Sequence, residues 1–94
     1  MKVVWTQAAL ADLANARSYI AEESPGAAAR TVDRIEEALQ ALRRHPMIGR
    51  PGRVAETREL VVPGTPFIAV YYVTAKRIEV VALIHGARRW PDEL

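Results

Sequence analysis

Apolar residues recur along this chain with two different periods, and the change of period divides it in half. In the first half they fall three and four positions apart. Leu10, Leu13, Ala16 and Ile20 put one apolar stripe on a helix that starts after Thr6, whose side-chain oxygen suits an N-cap, and runs to about Glu23. Ser24-Pro25-Gly26 ends that helix and opens another, with Ser24 as N-cap and Pro25 at the first helical position, where no N–H is needed. Ala28, Val32, Ile35, Leu39 and Leu42 continue as an unbroken seam until His45-Pro46 stops the helix, His45 capping a C-terminus where positive charge is favoured. So short a connection makes the two helices an antiparallel hairpin whose stripes face a common core.

The remaining chain reads as strand. Lys2 to Trp5 holds two valines and a tryptophan, which suits a short strand before the first helix. Pro46 to Thr57 carries Pro46, Gly49, Pro51 and Gly52 with no period and is a loop. Three strands follow, Arg58 to Val62, Phe67 to Val73 and Arg77 to His85, with turns at Pro63-Gly64-Thr65-Pro66 and near Thr74 to Lys76. In the last strand, alternation assigns Ile78, Val80, Ala82 and Ile84 to the helical side and Glu79, Val81, Leu83 and His85 to the other. The expected architecture is α+β in the order β-α-α-β-β-β, a helical hairpin packed on a small, mainly antiparallel sheet, as a single domain over residues 1–94.

Composition narrows the class. With 94 residues, 50% of them hydrophobic and 26% charged, the chain is an ordinary one-domain globular protein and not a disordered segment. The absence of cysteine removes disulfides, thiolate nucleophiles and zinc ribbons, and points to a reducing compartment. No apolar run approaches the roughly 18 residues of a membrane span, and the opening MKVVWTQAAL lacks a secretory pattern, so a cytoplasmic protein is expected. Charge is uneven: residues 43–58 hold Arg43, Arg44, Arg50, Arg53 and Arg58 against Glu56 alone, an excess of +4, while residues 1–42 sum to −2. Arginine forks suit carboxylate and phosphate, so this loop suggests an anionic partner. Arg50 and Arg53, on a Gly/Pro-rich surface loop, are expected to serve that partner and not the stability of the fold.

Most standard chemistry is missing. Two histidines forty positions apart, with no thiols and no H-E-x-x-H, do not make a metal site, and neither a G-x-S-x-G elbow nor a nucleotide-binding glycine motif is present. No cofactor is expected. Gly49-Arg50-Pro51-Gly52 matches the bare G-x-x-G of nucleic-acid-clamping loops, but leads into a strand where those lead into a helix. Two groups at strand ends remain: Arg58 and Glu59 opening the second strand, and His85, Arg88, Arg89 and Trp90 closing the last. If they met at one rim, a base, cations and a stacking aromatic would suit RNA cleavage through the 2′-OH. Equally, His85 simply ends a strand and Trp90 caps apolar surface, while Trp5, Tyr71 and Tyr72 read as core or strand-face aromatics.

Several stretches, taken in order, resemble the RelE/ParE superfamily of toxins from bacterial type II toxin–antitoxin modules. They are the opening strand ending in Trp5, Ala11-Asp12-Leu13 and Tyr19-Ile20 on the first helix, Pro46 with Gly49-Arg50, Thr57 through Val62, Val70-Tyr71, and Ile84 through Trp90. The resemblance implies a growth-inhibiting toxin neutralised by a cognate antitoxin. An acidic antitoxin segment that is disordered when free would suit the basic loop. One branch cuts mRNA on the ribosome; the other inhibits DNA gyrase. Ribonuclease members usually carry an arginine where this chain has Ile68, which favours gyrase inhibition. On the ribonuclease alternative the catalytic groups would be His85, Arg58, Arg88 and Glu59; partner contacts are expected from Arg43, Arg44, Arg50, Arg53, Arg89 and Trp90. A non-toxic binding module on the same fold is the third reading.

Overall fold

The computed structural model describes residues 1–86, so Arg88, Arg89 and Trp90 lie outside the described residues. The elements are β1 (Lys2–Trp5), α1 (Gln7–Glu23), α2 (Pro25–Arg44), β2 (Arg50–Pro51), β3 (Arg58–Val61), β4 (Phe67–Val73) and β5 (Arg77–His85). Both helix starts follow from their caps. Thr6 accepts the Ala9 N–H and Ser24 the Ala27 N–H, each at 3.1 Å, and Pro25 opens α2. Ser24 serves both helices, because its own N–H closes α1 on the Ile20 carbonyl at 3.0 Å. The residue pair Arg50–Pro51, expected within a loop, adds a short edge strand.

The sheet order is β1-β5-β4-β3-β2, with β1 parallel to β5 and every other pair antiparallel. The last strand therefore sits between the first strand and β4, paired with β4 along one edge and with β1 over the first half of the other. Both helices lie on one face. Ile35, Leu39 and Leu42 of α2 and Ala9 of α1 are buried against Ala69, Tyr71, Ile78, Val80 and Leu83 of the sheet. Burying each large aliphatic side chain contributes about 1.5–3 kcal/mol. Leu10, expected in the α1 stripe, is instead 49% exposed, and Ala9 takes the core position. The smaller side chain lets α1 lie close to β5.

Alternation in β5 holds for half of the strand only. Tyr71 pairs with Val80 and Val70 with Ala82, so the register skips Val81. That bulge adds one residue to β5 and reverses the facing of everything after it. Ile78 and Val80 meet the helices as expected. Ala82 and Ile84 do not; they join Ile68 and Val70 in a second buried cluster, while Leu83 turns to the helical core. His85, two residues beyond Leu83, follows it to the helical side of the sheet, the reverse of the simple alternation.

The bulge coincides with the end of β1, whose last bond to β5 is Thr6 N–H to the Val80 carbonyl at 3.0 Å. Beyond it, the edge of β5 would carry a bare amide. Asp12 of α1 accepts the Leu83 N–H there at 3.0 Å, across 71 residues of sequence. Asp12→Ala should therefore cost about 1.5–3 kcal/mol, the range for a hydrogen bond to a charged group. For a domain of this size that is a fall of about 10 °C in melting temperature by calorimetry, with Asp12→Asn recovering part of it.

Candidate functional site

The loop from α2 to β3 is organised by a tyrosine. Tyr71 lies on the helical face of β4 and is fully buried, and a buried phenol needs hydrogen-bond partners. Its hydroxyl donates to the Pro46 carbonyl at 2.8 Å and accepts the Gly49 N–H at 2.9 Å. Burial pushes the phenol above its ordinary 10.0, outweighing the lowering effects of the Gly49 N–H and the nearby Arg58 charge. Arg58 faces Tyr71 across β3 and β4, and its Nη1 donates to the carbonyls of Gly49 at 2.7 Å and Met47 at 3.3 Å. Gly49 is needed for space: a Cβ there would sit 2.6 Å from the Tyr71 hydroxyl and 2.9 Å from the Glu59 carbonyl oxygen.

On the other face of β3, Glu59 is enclosed. Its side chain is 1% exposed, against 57% for Arg50 and 35% for Arg53. Arg50 Nη2 reaches Oε1 at 3.2 Å; the Arg53 backbone N–H donates to Oε2 at 2.9 Å, with Arg53 Nε at 3.4 Å. A carboxylate this far from water persists as an anion only when paired. Arg50 and Arg53 are thus engaged with the fold through Glu59, an engagement that their expected role as loop cations serving a partner did not include. Glu59, expected as a proton acceptor, has both oxygens committed. The G-x-x-G glycines serve packing too, Gly49 under Tyr71 and Gly52 through its N–H to the Thr57 carbonyl at 2.8 Å.

Among the described residues of the two strand-end groups, Arg58 and Glu59 do not meet His85. β3 and β5 flank β4 antiparallel to it, so they run in the same direction, and the start of one lies at the opposite rim from the end of the other. Arg58 pairs with Tyr71 and His85 with Phe67, four residues apart along β4. At about 3.3 Å per residue and two strand spacings of about 4.8 Å, their backbones are on the order of 16 Å apart. His85 is exposed at its rim, its ring edge-on to Phe67 with centroids 5.9 Å apart and planes at 76°. General acid–base groups must reach the same reacting atoms within about 3 Å, and Arg58, Glu59 and His85 do not share such a centre. Of the remaining expected partner contacts, Arg43 and Arg44 are exposed in the last turn of α2, Arg43 holding Gln40 Oε1 at 3.4 Å.

Two groups that organise these regions went unread in the sequence: the Tyr71 hydroxyl and the Asp12 carboxylate. The signal for the first was present, a pair of tyrosines, Tyr71 and Tyr72, within the apolar run Ile68 to Val73, of which strand alternation turns one to each face. Asp12 gave none, since an acidic residue on an amphipathic helix normally faces solvent.

The described chain is thus an αα-hairpin on one face of a mixed sheet, with a basic loop pinned to the sheet's edge. Residues 3–90 match the family described as ParE toxin of type II toxin–antitoxin system, parDE. The chain is 40% identical over 93 residues to a putative toxin, Y4kP, of Sinorhizobium fredii, covering 99% of this chain and 96% of that one. It is 42% identical over 87 residues to toxin RelE2 of Caulobacter vibrioides, with 93% and 97% covered. Among solved structures, it superposes on a chain of the chromosomal ParDE system from P. aeruginosa with a TM-score of 0.80, 30% identity and coverage of 90% and 95%. A YoeB/ParE toxin from Agrobacterium tumefaciens shares the fold, with a TM-score of 0.62, 22% identity and coverage of 90% and 98%. The chain belongs to the ParE toxin family of type II toxin–antitoxin systems, and that membership implies an antitoxin as partner. Among the described residues no helix is long and apolar enough to cross a membrane.

The Glu59 cluster makes a direct prediction. Arg50→Ala/Arg53→Ala should lower stability by about 1–3 kcal/mol, because it strips two partly exposed cations from a buried carboxylate that keeps one backbone N–H, and thermal melts should show a fall of about 10 °C. The Tyr71 network predicts pH dependence. A phenol whose folded pKa is raised contributes stability that is complete below the unfolded value, about 10, and is lost as pH rises through the folded one. Tyr71→Phe should flatten that alkaline decline in urea titrations while costing about 1–3 kcal/mol at neutral pH, where the Gly49 N–H loses its acceptor.

Proposed function

We propose that this toxin arrests growth by binding DNA gyrase in the cytoplasm, and not by cleaving RNA. One observation supports the reading above others: among the described residues, the groups that a ribonuclease mechanism would recruit are separated. Arg58 holds loop carbonyls at one rim, His85 packs on Phe67 at the other, and Glu59 is enclosed by Arg50 and Arg53. Ile68, where the ribonuclease branch places an arginine, is an apolar residue buried in the second cluster. Inhibition by binding requires no proton transfer and so no convergence of acid and base.

The test is ribosome-dependent mRNA cleavage beside gyrase supercoiling, each with wild type and His85→Gln. Wild type should inhibit supercoiling without cutting mRNA. The substitution should change inhibition by no more than one lost contact does, about 1–2 kcal/mol or roughly tenfold in affinity. A general acid or base would instead contribute about 10²- to 10⁴-fold in rate. Strong cleavage by wild type that vanishes in His85→Gln would overturn the proposal.

A further inference from the structure

Met47 and Ile48, at the corner between α2 and β2, are 61% and 53% exposed. Single exposed apolar side chains are common on folded proteins; two consecutive ones on a pinned turn are a different matter. The Ile48 N–H donates to the His45 carbonyl at 3.1 Å, closing the turn. The Tyr71 hydroxyl holds the Pro46 carbonyl and the Gly49 N–H, and Arg58 holds the carbonyls of Met47 and Gly49. The backbone on both sides of the pair is therefore committed to the fold. The turn that presents the two side chains is fixed, and a partner pays little backbone ordering entropy to use them.

Charge surrounds this apolar centre. Arg43 and Arg44 precede it and Arg50, paired with Glu59 yet more than half exposed, follows it, within the stretch whose excess is +4. An apolar centre inside a charged rim is the anatomy of a protein–protein contact. A phosphate backbone would gain from the rim but would leave Met47 and Ile48 without apolar cover. The rim selects an acidic polypeptide, and family membership supplies a polypeptide partner. We propose that this corner docks the antitoxin, through an acidic segment whose apolar side chains cover Met47 and Ile48. Arg58 is then a positioning residue, which fixes the corner without touching the partner. The inference goes beyond the reading of the cellular target and holds whichever target the toxin stops.

The test uses full-length toxin and the antitoxin encoded beside it, purified separately, with affinity measured by calorimetry or interferometry. Met47→Ser/Ile48→Ser should weaken binding about 30-fold or more, the effect of removing a central apolar anchor, while the melting temperature moves by no more than about 3 °C. Arg44→Glu should weaken binding about tenfold at low salt and less at high salt, as a rim charge does. Leu10→Ser, equally exposed on α1, should leave affinity unchanged. Induced alone in cells, Met47→Ser/Ile48→Ser should arrest growth as wild type does, and rescue should require more antitoxin. Wild-type affinity in the double variant would overturn the proposal, and so would an equal loss in Leu10→Ser. A double variant that binds antitoxin normally but no longer arrests growth would also overturn it, since the corner would then serve the target.

Discussion

A phenol hydroxyl in the middle of an aliphatic sheet cannot go unpaired, and the arrangement of the basic loop depends on that constraint. Tyr71 is fully buried, and its hydroxyl finds its acceptor and donor on the loop after α2, at Pro46 and Gly49. Leaving such a group without partners costs about 1–3 kcal/mol, a sizeable share of a small domain's stability. The loop is therefore drawn onto the edge of the sheet. Once there, Gly49 is the residue that fits beneath the ring, Arg58 closes on the carbonyls, and Arg50 and Arg53 come over Glu59. A stretch rich in glycine and proline becomes one of the more tightly bonded parts of the surface.

A second constraint acts at the other side of the sheet. β1 is short and pairs only with the first half of β5, leaving the second half with an open edge. The bulge at Val81 and the carboxylate of Asp12 meet this problem together, the one turning Leu83 into the helical core and the other accepting its N–H. The bulge also decides where His85 lies. It carries His85 to the helical side, where Phe67 packs on it, and strand direction puts it at the rim far from Arg58.

The same geometry divides the arginines of the loop by what they do. Arg50 and Arg53 neutralise a buried carboxylate, Arg58 pins backbone carbonyls, and Arg43 and Arg44 stand exposed at the end of α2. A net excess of +4 thus overstates the charge that a partner meets, because part of it is spent inside the molecule. What remains at the surface is a smaller cationic rim beside two apolar side chains. That surface suits recognition of another protein more closely than it suits phosphate chemistry.

Local pattern by itself determined the α+β class, the order of every element but the short β2, and nearly every boundary. Helical and strand periods, the Thr6 and Ser24 caps and the proline and glycine turns all act over a few residues, so they are written where they operate. The stretches from Trp5 to Trp90 carried the family as well. Contacts between distant residues were decided only in the tertiary structure. No local feature announces that Val81 is skipped, that Asp12 serves an amide 71 residues away, or that a buried Glu59 would pair with two arginines of the loop. A bulge arises from fitting one strand between two neighbours, and one inserted residue reverses which face of the sheet every later side chain joins. Whether Arg58 and His85 share a site depends on the relative direction of β3 and β5, and that direction is a property of the assembled sheet.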